Sequence, residues 1–345
     1  MEDPRAAARH AGLHYVSDET CRGIHRRRRG DGFTYIRPSG ARVRDPHTLG
    51  RIKSLVIPPA WEDVWICQDP RGHIQAVGRD ARGRKQYRYH PKWRQIRDDS
   101  KYHKLLAFAH VLPRVCRRVR RDLGRQGLPR EKVLAAVIAV MEKTLIRIGN
   151  EEYANHNDSY GLTTLHDEHA RINGSKVTFE FRGKGGKEHE IDLEDSRLAH
   201  IIRRCRDLPG EELFQYLNDR GEVCHVHSTD VNEYLRRTSG GQDFTAKDFR
   251  TWAGTVLAFR ALRRMQTAET KSAARKNILQ AIDRVAQRLG NTRAVCRRSY
   301  IHPAIIQCYL DHSLAGRLAH PRRRRGTRTP GLRADEALVL GLLRR

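Results

Sequence analysis

Residues 289–303 read LGNTRAVCRRSYIHP, and this segment places an amide at Asn291 and a phenol at Tyr300 around several basic residues. A phenol can attack phosphorus and form a covalent ester, which makes Tyr300 a candidate nucleophile. Asn291 could hold a phosphate oxygen through its amide. Tyr300 alone has an ordinary explanation, because most core tyrosines simply have their hydroxyl hydrogen-bonded. The residues upstream are therefore needed to decide its role.

Three upstream basic residues complete a set that could cleave a phosphodiester. They are Arg147 in IRIGNEEY, Lys184 in FRGKGGKEHE and Arg250 in KDFRTW. The two arginines would hold the phosphate oxygens, Lys184 would protonate a leaving oxygen, and Tyr300 would be the nucleophile. Separately, Arg147 could cap a helix, Lys184 could be a turn residue, and Arg250 could belong to an exposed basic face. We interpret them together as a catalytic set, because each lies on a suitable element.

Composition points to a folded protein with a polyanionic partner. The chain has 345 residues, enough for two domains with cores, and 38% of them are hydrophobic. Its formal net charge is +27 and its pI is about 10.5. Nucleic acid attracts such a protein, since Lys and Arg release counterions from the phosphates. The alternative is a basic protein of general affinity, such as one associated with ribosomes.

The sequence favours a reducing, non-membrane environment. Residues 1–19 lack the apolar core of a secretory signal, and no stretch approaches about 18 consecutive apolar residues. The seven cysteines are scattered without a CxxC pair, as is typical of the cytosol. Residues 224–227 read CHVH, but this spacing fits no standard zinc site and leads into a predicted helix start at Ser228. We predict no metal site and a cytoplasmic protein.

A small β-rich N-terminal domain is predicted over residues 1–98. The predicted hairpins join residues 32–36 to 41–44 and residues 73–77 to 86–90. Tyr87 and Tyr89 alternate with polar residues, so they should share one face of a strand. Pro91 is expected to end that strand. Residues 97–101 read RDDSK and are predicted to form a linker.

A larger, mainly α-helical domain is predicted over residues 102–320, followed by a basic C-terminal tail over residues 321–345. Predicted helices cover residues 131–145, 245–264, 271–288, about 303–318 and 334–343. Between the first two, Val177, Phe179 and Phe181 alternate with polar residues and predict a β-hairpin. Glycines 183, 185 and 186 flank Lys184 at its tip, where they free the backbone and leave the ammonium unhindered.

Several long motifs carry a resemblance to a known family. They are IPPAWEDVWIC (57–67), GRDARGRKQYRYHPKWR (78–94), RIGNEEYANHNDSYGLTTL (147–165), FRGKGGKEH (181–189), HSTDVNEYLR (227–236), KDFRTWAGT (247–255) and LGNTRAVCRRSYIHP (289–303). With these motifs the chain resembles the type IB DNA topoisomerases of the poxvirus-like and bacterial group, from about residue 14 to residue 318.

The resemblance implies an α+β fold that closes as a C-shaped clamp on duplex DNA, with a β-rich N-terminal domain and a mainly α-helical catalytic domain like that of tyrosine recombinases. The implied catalytic residues are Arg147, Lys184, Arg250, Asn291 and the nucleophile Tyr300. The implied DNA contacts are Gln86, Tyr87, Tyr89 and Tyr153. Supercoils would relax through a 3′-phosphotyrosyl intermediate, strand rotation and religation, without ATP, metal or cofactor. A monomer in the cytoplasm, associated with the nucleoid, is expected.

Two positions depart from the family pattern. Poxviral and eukaryotic relatives have histidine where this chain has Asn291, and asparagine there resembles the bacterial branch. Because an amide carries no positive charge, Asn291 should contribute less than either arginine. Arg293 stands where proline is expected, and its side chain could face solvent or a phosphate.

Other functions remain as alternatives. A tyrosine recombinase uses the same chemistry, but it typically has His-x-x-Arg where this chain has Lys247-x-x-Arg250, and its N-terminal domain is usually helical. A DNA-organising protein would explain the charge but not Lys184 and Tyr300. A metal-dependent nuclease would need carboxylates and histidines at ligand spacing, which the sequence lacks.

Overall fold

A computed structural model of the chain describes residues 3–265, 268–314 and 331–344, apart from the side chain of Tyr153. The chain divides into two compact units between His103 and Lys104. Within the described ranges, none of the helices combines the length and hydropathy needed to span a membrane.

The N-terminal unit is built on one antiparallel sheet of five strands, in the order β2-β1-β3-β4-β5. Its elements are α1 (Pro4–His10), β1 (Ile24–Arg29), β2 (Gly32–Ile36), α2 (Pro46–Ser54), β3 (Glu62–Ile66), β4 (Ile74–Arg79) and β5 (Lys85–Tyr89). One face of the sheet is apolar, and its buried side chains Ile24, Val64, Ile66 and Ala76 pack with Ile52 of α2. The predicted hairpin of residues 73–77 and 86–90 is confirmed as β4 and β5.

The other predicted hairpin is confirmed only at its closed end, and the prediction of the main partner of β2 is wrong. Strand β2 pairs with β1 across a tight turn in which Gly30 has φ of +57°, a conformation that suits glycine. Residues 41–44 meet the end of β2 in a short antiparallel bridge between Arg42 and Ile36, and the N–H of Val43 donates to the carbonyl of Tyr35 at 2.8 Å. Strand β1 was not predicted because its last four residues are arginines, which hide the alternation expected of a strand.

The predicted linker at residues 97–101 is also wrong, because these residues lie inside α3 (Pro91–Leu123). Proline is tolerated in the first turn of a helix, where its missing N–H would have had no partner within the helix. The polar residues that suggested a linker form a mostly exposed part of this helix, while Leu105 and Phe108 further along are buried. The division between the two units falls within α3.

The C-terminal unit is mainly helical with a three-stranded sheet. Its further elements are α4 (Arg130–Thr144), α5 (Glu151–Asn157), β6 (Ala170–Asn173), β7 (Lys176–Gly183), β8 (Lys187–Glu194), α6 (Ser196–Arg206), β9 (Gln215–Leu217), β10 (Val223–His225), α7 (Ser228–Thr238), α8 (Ala246–Arg263), α9 (Lys271–Leu289), α10 (Arg293–Ser299), α11 (Pro303–Leu310) and α12 (Ala334–Leu343). Helix α4 is buried nearly all round, as predicted, and contacts α6, α7 and β8.

The final helix, α12, confirms the prediction at residues 334–343 and belongs to the core of this unit. It packs on α8 and α11 and buries Val339, Leu340, Leu342 and Leu343. Asp335 at its start binds two arginines of α8, Arg260 at 2.6 Å and Arg263 at 2.7 Å. The helix predicted at about 303–318 ends earlier, at Leu310, and its last four residues lie outside the described part of the chain. Of the predicted tail, residues 321–330 and 345 also lie outside it.

Candidate active site

Arg250 is the most buried charge of the predicted catalytic set. It lies early in α8, whose start is fixed by Asp248, an acceptor for the backbone N–H of Thr245 at 2.8 Å. Arg250 is only 4% exposed. One Nη donates to the carbonyl of Leu289 at 2.7 Å, and the other donates to the carbonyl of Leu145. Among the described residues, no acceptor meets its buried Nε.

This environment makes Arg250 a cation prepared for an anion. Burial, together with the neighbouring charge of Arg147, lowers the pKa of Arg250 to about 10, and Tyr300 opposes the shift. A pKa near 10 still leaves the guanidinium charged at neutral pH. A buried cation is costly without acceptors, so an anion that reached this position would be stabilised.

Arg147 is presented just beyond the end of α4. The helix ends at Thr144 and is capped by Leu145, which adopts the left-handed conformation at φ +60°. The backbone of Arg147 is then held by the N–H of Leu162, which donates to its carbonyl at 2.9 Å. Gly161 permits this approach, since a Cβ there would lie 2.6 Å from the same carbonyl oxygen. Burial lowers the pKa of Arg147 as well.

Asn291 is in direct contact with Arg147. It follows Gly290, whose left-handed conformation ends α9. The Asn291 Oδ1 accepts a hydrogen bond from an Arg147 Nη at 2.6 Å, and its Nδ2 donates to the carbonyl of Leu289 at 3.4 Å. The amide therefore orients Arg147 in this structure, a contact that the sequence did not suggest.

Tyr300 lies at the end of the short helix α10 and beside Arg250. The Arg250 Cζ is 5.4 Å from the centroid of the Tyr300 ring. Helix α8 also holds the tyrosine backbone, because Thr255 Oγ1 donates to the Tyr300 carbonyl at 3.3 Å. Gly254 leaves room for this contact, since a Cβ there would lie 2.6 Å from the same oxygen. One helix thus positions both the arginine and the phenol.

Lys184 lies at the exposed tip of the hairpin formed by β7 and β8, as predicted. The tip turns through Gly185 and Gly186, with φ of +84° and +74°. Together with Arg147 and Arg250, Lys184 lines a cavity of about 670 Å³. The cationic residues lining this cavity are Arg147, Lys184, Lys187, Arg250, Arg284 and Arg288, and the acidic ones are Glu188, Glu190 and Asp192.

The structure therefore brings the five candidate catalytic residues together, some as lining of the cavity and some through contacts with the lining residues. The two arginines and Lys184 line one cavity. Asn291 joins this group through Arg147, and Tyr300 joins it through Arg250. The arrangement offers a nucleophile, two buried cations and a lysine around a space that could receive a phosphodiester.

The histidines of the CHVH segment are engaged with carboxylates. His225 Nδ1 is 3.1 Å from Glu212, and His227 Nδ1 is 2.5 Å from Glu151. Nowhere in the described ranges do three or more His, Cys, Asp or Glu side chains form a group that could hold a metal ion.

Comparison with known proteins assigns the chain to a family. A family model of the eukaryotic DNA topoisomerase I catalytic core matches residues 90–315, and one of the bacterial DNA topoisomerase IB N-terminal domain matches residues 32–80. DNA topoisomerase 1B of Acanthamoeba polyphaga mimivirus is 31% identical over 307 residues, which are 87% of this chain and 91% of the relative. The chain belongs to the type IB DNA topoisomerases.

More distant relatives agree with this assignment. DNA topoisomerase 1B of vaccinia virus, strain Copenhagen, is 23% identical over 255 residues, which are 73% of this topoisomerase and 76% of the viral one. DNA topoisomerase 1 of rabbit fibroma virus is 24% identical over 272 residues, or 76% and 81% of the two chains. The predicted family, α+β fold and DNA topoisomerase activity are confirmed, DNA is the partner, and the recombinase alternative is not favoured.

The predicted DNA contacts of the N-terminal unit lie on β5, an edge strand of its sheet. Tyr87 and Tyr89 stack at 5.8 Å between ring centroids and so share a face, as predicted. Gln86 donates to Asp80 at 3.0 Å. Tyr153 lies in α5, and its side chain is outside the described part of the topoisomerase. The DNA contacts of these four residues stay a prediction.

Sequence reasoning missed several residues that shape the site of this topoisomerase. Gly254 offered a signal, because glycine inside a helix is costly and often marks a close approach of another backbone. Thr255 and Gly161 gave no local signal. His189 also lines the cavity and was not singled out, since a polar residue on a hairpin strand is ordinary. Arg293, whose side chain was expected to face solvent or a phosphate, forms an exposed ion pair with Asp283.

Proposed function

We propose that this topoisomerase relaxes supercoiled duplex DNA by attack of the Tyr300 phenol on a backbone phosphate held between Arg147 and Arg250. The observation that carries the proposal is the buried guanidinium of Arg250, with one unmet donor, beside the phenol ring and the cationic cavity. A phosphate oxygen would supply the acceptor that the Arg250 Nε lacks. The same oxygen would bring phosphorus close to Tyr300.

The two arginines would act most strongly in the transition state. Negative charge collects on the phosphate oxygens as the phenol adds, and buried donors stabilise it without reorganisation. Asn291 supports this arrangement through its 2.6 Å contact with Arg147, so it would act mainly by orienting that arginine.

Lys184 would serve as the general acid. As the Tyr300 oxygen gives up its proton to water and bonds to phosphorus, the bond from phosphorus to the 5′ oxygen of the next nucleotide breaks, and Lys184 donates a proton to that oxygen. The products are a 3′-phosphotyrosyl ester and a 5′-hydroxyl strand that can rotate. Religation reverses these steps. The ester conserves the bond energy and side chains neutralise the phosphate, so we expect no requirement for ATP or added metal.

The remaining assignments extend this proposal to the whole chain. We propose that residues 1–98 contact duplex DNA through Gln86, Tyr87 and Tyr89, and that residues 102–320 contain the chemistry, with Tyr153 as a further contact. The edge position of β5, the exposed ring of Tyr87 and its stacking on Tyr89 support the first assignment. We also propose that the enzyme works as a monomer in the cytoplasm, on nucleoid DNA.

The test is relaxation of supercoiled plasmid in EDTA without ATP, stopped with SDS to trap covalent protein. We expect relaxed topoisomers and protein attached to a 3′ end of the DNA. Tyr300→Phe should lose both products and keep duplex binding, because the arginines remain. Cleavage by Tyr300→Phe at the parental rate would refute the nucleophile, and binding without relaxation by the parent would reduce the chain to a DNA-binding protein.

A further inference from the structure

His189 connects the hairpin that carries Lys184 to the segment that carries Asn291. It lies on β8 directly opposite Phe181 of β7, and the two rings stack with centroids 5.2 Å apart and an interplanar angle of 25°. The ring is half-buried and lines the same cavity as the catalytic candidates. None of the steps described above uses it.

Two glycines hold the His189 ring closely. A Cβ on Gly183 would lie 2.6 Å from its Cδ2 and 2.7 Å from its Nε2, and a Cβ on Gly290 would overlap its Cε1. Gly183 immediately precedes Lys184, and Gly290 immediately precedes Asn291. The imidazole therefore fills a gap that ordinary side chains at both glycines would close, and it touches the backbone next to each catalytic candidate.

The surrounding charges favour a neutral ring. Burial lowers the pKa of His189, and Arg147, Lys187 and Arg250 lower it further. A neutral aromatic ring can pack against Phe181 and the glycines without bringing another positive charge into the cavity. Packing, rather than proton transfer, is the role that this environment supports.

We propose that His189 is a positioning residue that holds the Lys184 hairpin against the Gly290–Asn291 segment, so that the lysine reaches the leaving oxygen. The proposal rests on the function proposed above for Lys184. The hairpin tip turns at two glycines and is exposed, so its own backbone fixes the lysine poorly. Displacing a catalytic group by about 1 Å can lower the rate about a hundredfold, so packing of the His189 ring that fixes the position of Lys184 could have a large effect on cleavage.

The experiment separates acid catalysis from general damage by changing the leaving group. Single-turnover cleavage is measured on a duplex with the ordinary 5′ oxygen and on one with sulfur there, a leaving group that needs no proton. We expect His189→Ala to slow cleavage of the oxygen substrate by about tenfold to a hundredfold, part of what a general acid contributes. The sulfur substrate should be cleaved within about threefold of the parental rate.

Three variants serve as controls. Lys184→Ala should show the same pattern at larger amplitude. Arg171→Ala removes an exposed ion pair with Glu180 between β6 and β7, neither partner of which lines the cavity, and it should leave both rates unchanged. His189→Phe keeps a flat ring against Phe181 and should fall nearer to the parent than His189→Ala does. If the alanine variant does not fold, His189→Gln, which also removes the ring, takes its place.

The outcomes are distinct. Equal slowing on both substrates, or no slowing, would overturn the positioning role. His189→Phe as slow as His189→Ala would assign the effect to the imidazole nitrogens and overturn the packing argument. A parent that cleaves neither substrate would refute the proposed function, and this inference with it. In the remaining outcome, the parent cleaves both substrates but the sulfur substrate fails to restore cleavage by Lys184→Ala. This result would refute Lys184 as the general acid and His189 as its positioning residue, but not the proposed function.

Discussion

At the scale of single residues, Arg250 joins three separate segments of the site. Its guanidinium donates to the carbonyls of Leu145 and Leu289 and lies beside the ring of Tyr300. Leu145 holds a left-handed conformation that is unusual for a bulky residue, and such strain persists only where surrounding contacts determine it. The bond from Arg250 is one such contact, so the same charge that would bind phosphate also fixes the turn before Arg147.

The contact between Arg147 and Asn291 leads to a prediction about coupling. If Asn291 acts by orienting Arg147, its amide should contribute nothing to the cleavage rate in a variant that lacks Arg147. We expect Asn291→Ala to slow cleavage by about tenfold, less than Arg147→Ala or Arg250→Ala, which should cost about 3–4 kcal/mol each. The double variant Arg147→Ala with Asn291→Ala should be no slower than Arg147→Ala alone. Additive losses in single-turnover rates would instead indicate that Asn291 contacts the phosphate independently.

Two half-buried histidines, His169 and His189, predict how stability changes with pH. Burial lowers the pKa of His169 and His189 below the unfolded value of about 6.5, so the folded state binds fewer protons than the unfolded state in mildly acidic solution. Their contribution to the free energy of unfolding is therefore fully present above about pH 6.5 and is lost as the pH falls below this value. The thermal midpoint should drop between pH 7 and 5.5, and His189→Gln should drop less. A variant of exposed His10, His10→Gln, should follow the parent; an equal drop in all three would exclude His189 as a contributor.

At the scale of elements, helix α8 does most to position the residues of the site. Its side chains at 250 and 255 and the bare backbone at Gly254 all face the segment that ends in Tyr300. Helical spacing makes this possible, since residues four apart lie on the same face. The helix is fixed in turn by α12, through Asp335 and the buried leucines.

Gly254→Ala tests this helix directly. Alanine favours the helix by about 1 kcal/mol over glycine, so an effect on propensity alone would stabilise the protein. Its Cβ would lie 2.6 Å from the Tyr300 carbonyl, however, which forces the backbone of the nucleophile to move. We expect cleavage to fall by about a hundredfold while duplex binding is kept. Gly341→Ala on α12, where a Cβ would meet nothing within 4 Å, is the control and should leave cleavage unchanged.

Elements set by local pattern could be predicted, and those set by distant partners could not. The β7–β8 hairpin follows from alternating Val177, Phe179 and Phe181 and a glycine turn, all within a short stretch. The prediction of a linker at residues 97–101 was wrong because a run of polar residues is equally compatible with a loop and with the exposed face of a helix. The wedge of His189 between Gly183 and Gly290 depends on packing between segments about a hundred residues apart, which no local pattern records.

At the scale of the whole molecule, the net charge of +27 should govern how the enzyme binds DNA before any chemistry. Each neutralised phosphate steepens the dependence of the logarithm of affinity on the logarithm of salt by about 0.9. With about 6–10 phosphate contacts, duplex affinity should fall by about 10³–10⁵ between about 50 and 200 mM salt. The cleavage rate of bound duplex should change far less, because Arg147 and Arg250 are partly or fully buried and poorly screened.

Two arginines of strand β1 allow a controlled test of this salt dependence. Each is substituted in the Tyr300→Phe variant, which should not cleave DNA, so that duplex affinity alone is measured. Arg28 is exposed, whereas Arg26 on the same strand lies over the Phe33 ring at 4.1 Å and donates to the carbonyls of Pro58, at 3.1 Å, and Trp61. Because an exposed arginine is free to meet a phosphate, Arg28→Ala should reduce the salt slope by about one. Arg26→Ala should lower the thermal midpoint and leave the slope unchanged, since its donors already serve the fold. The reverse result would mean that the basic strand faces away from the duplex and that the charge needed for binding lies elsewhere on the molecule.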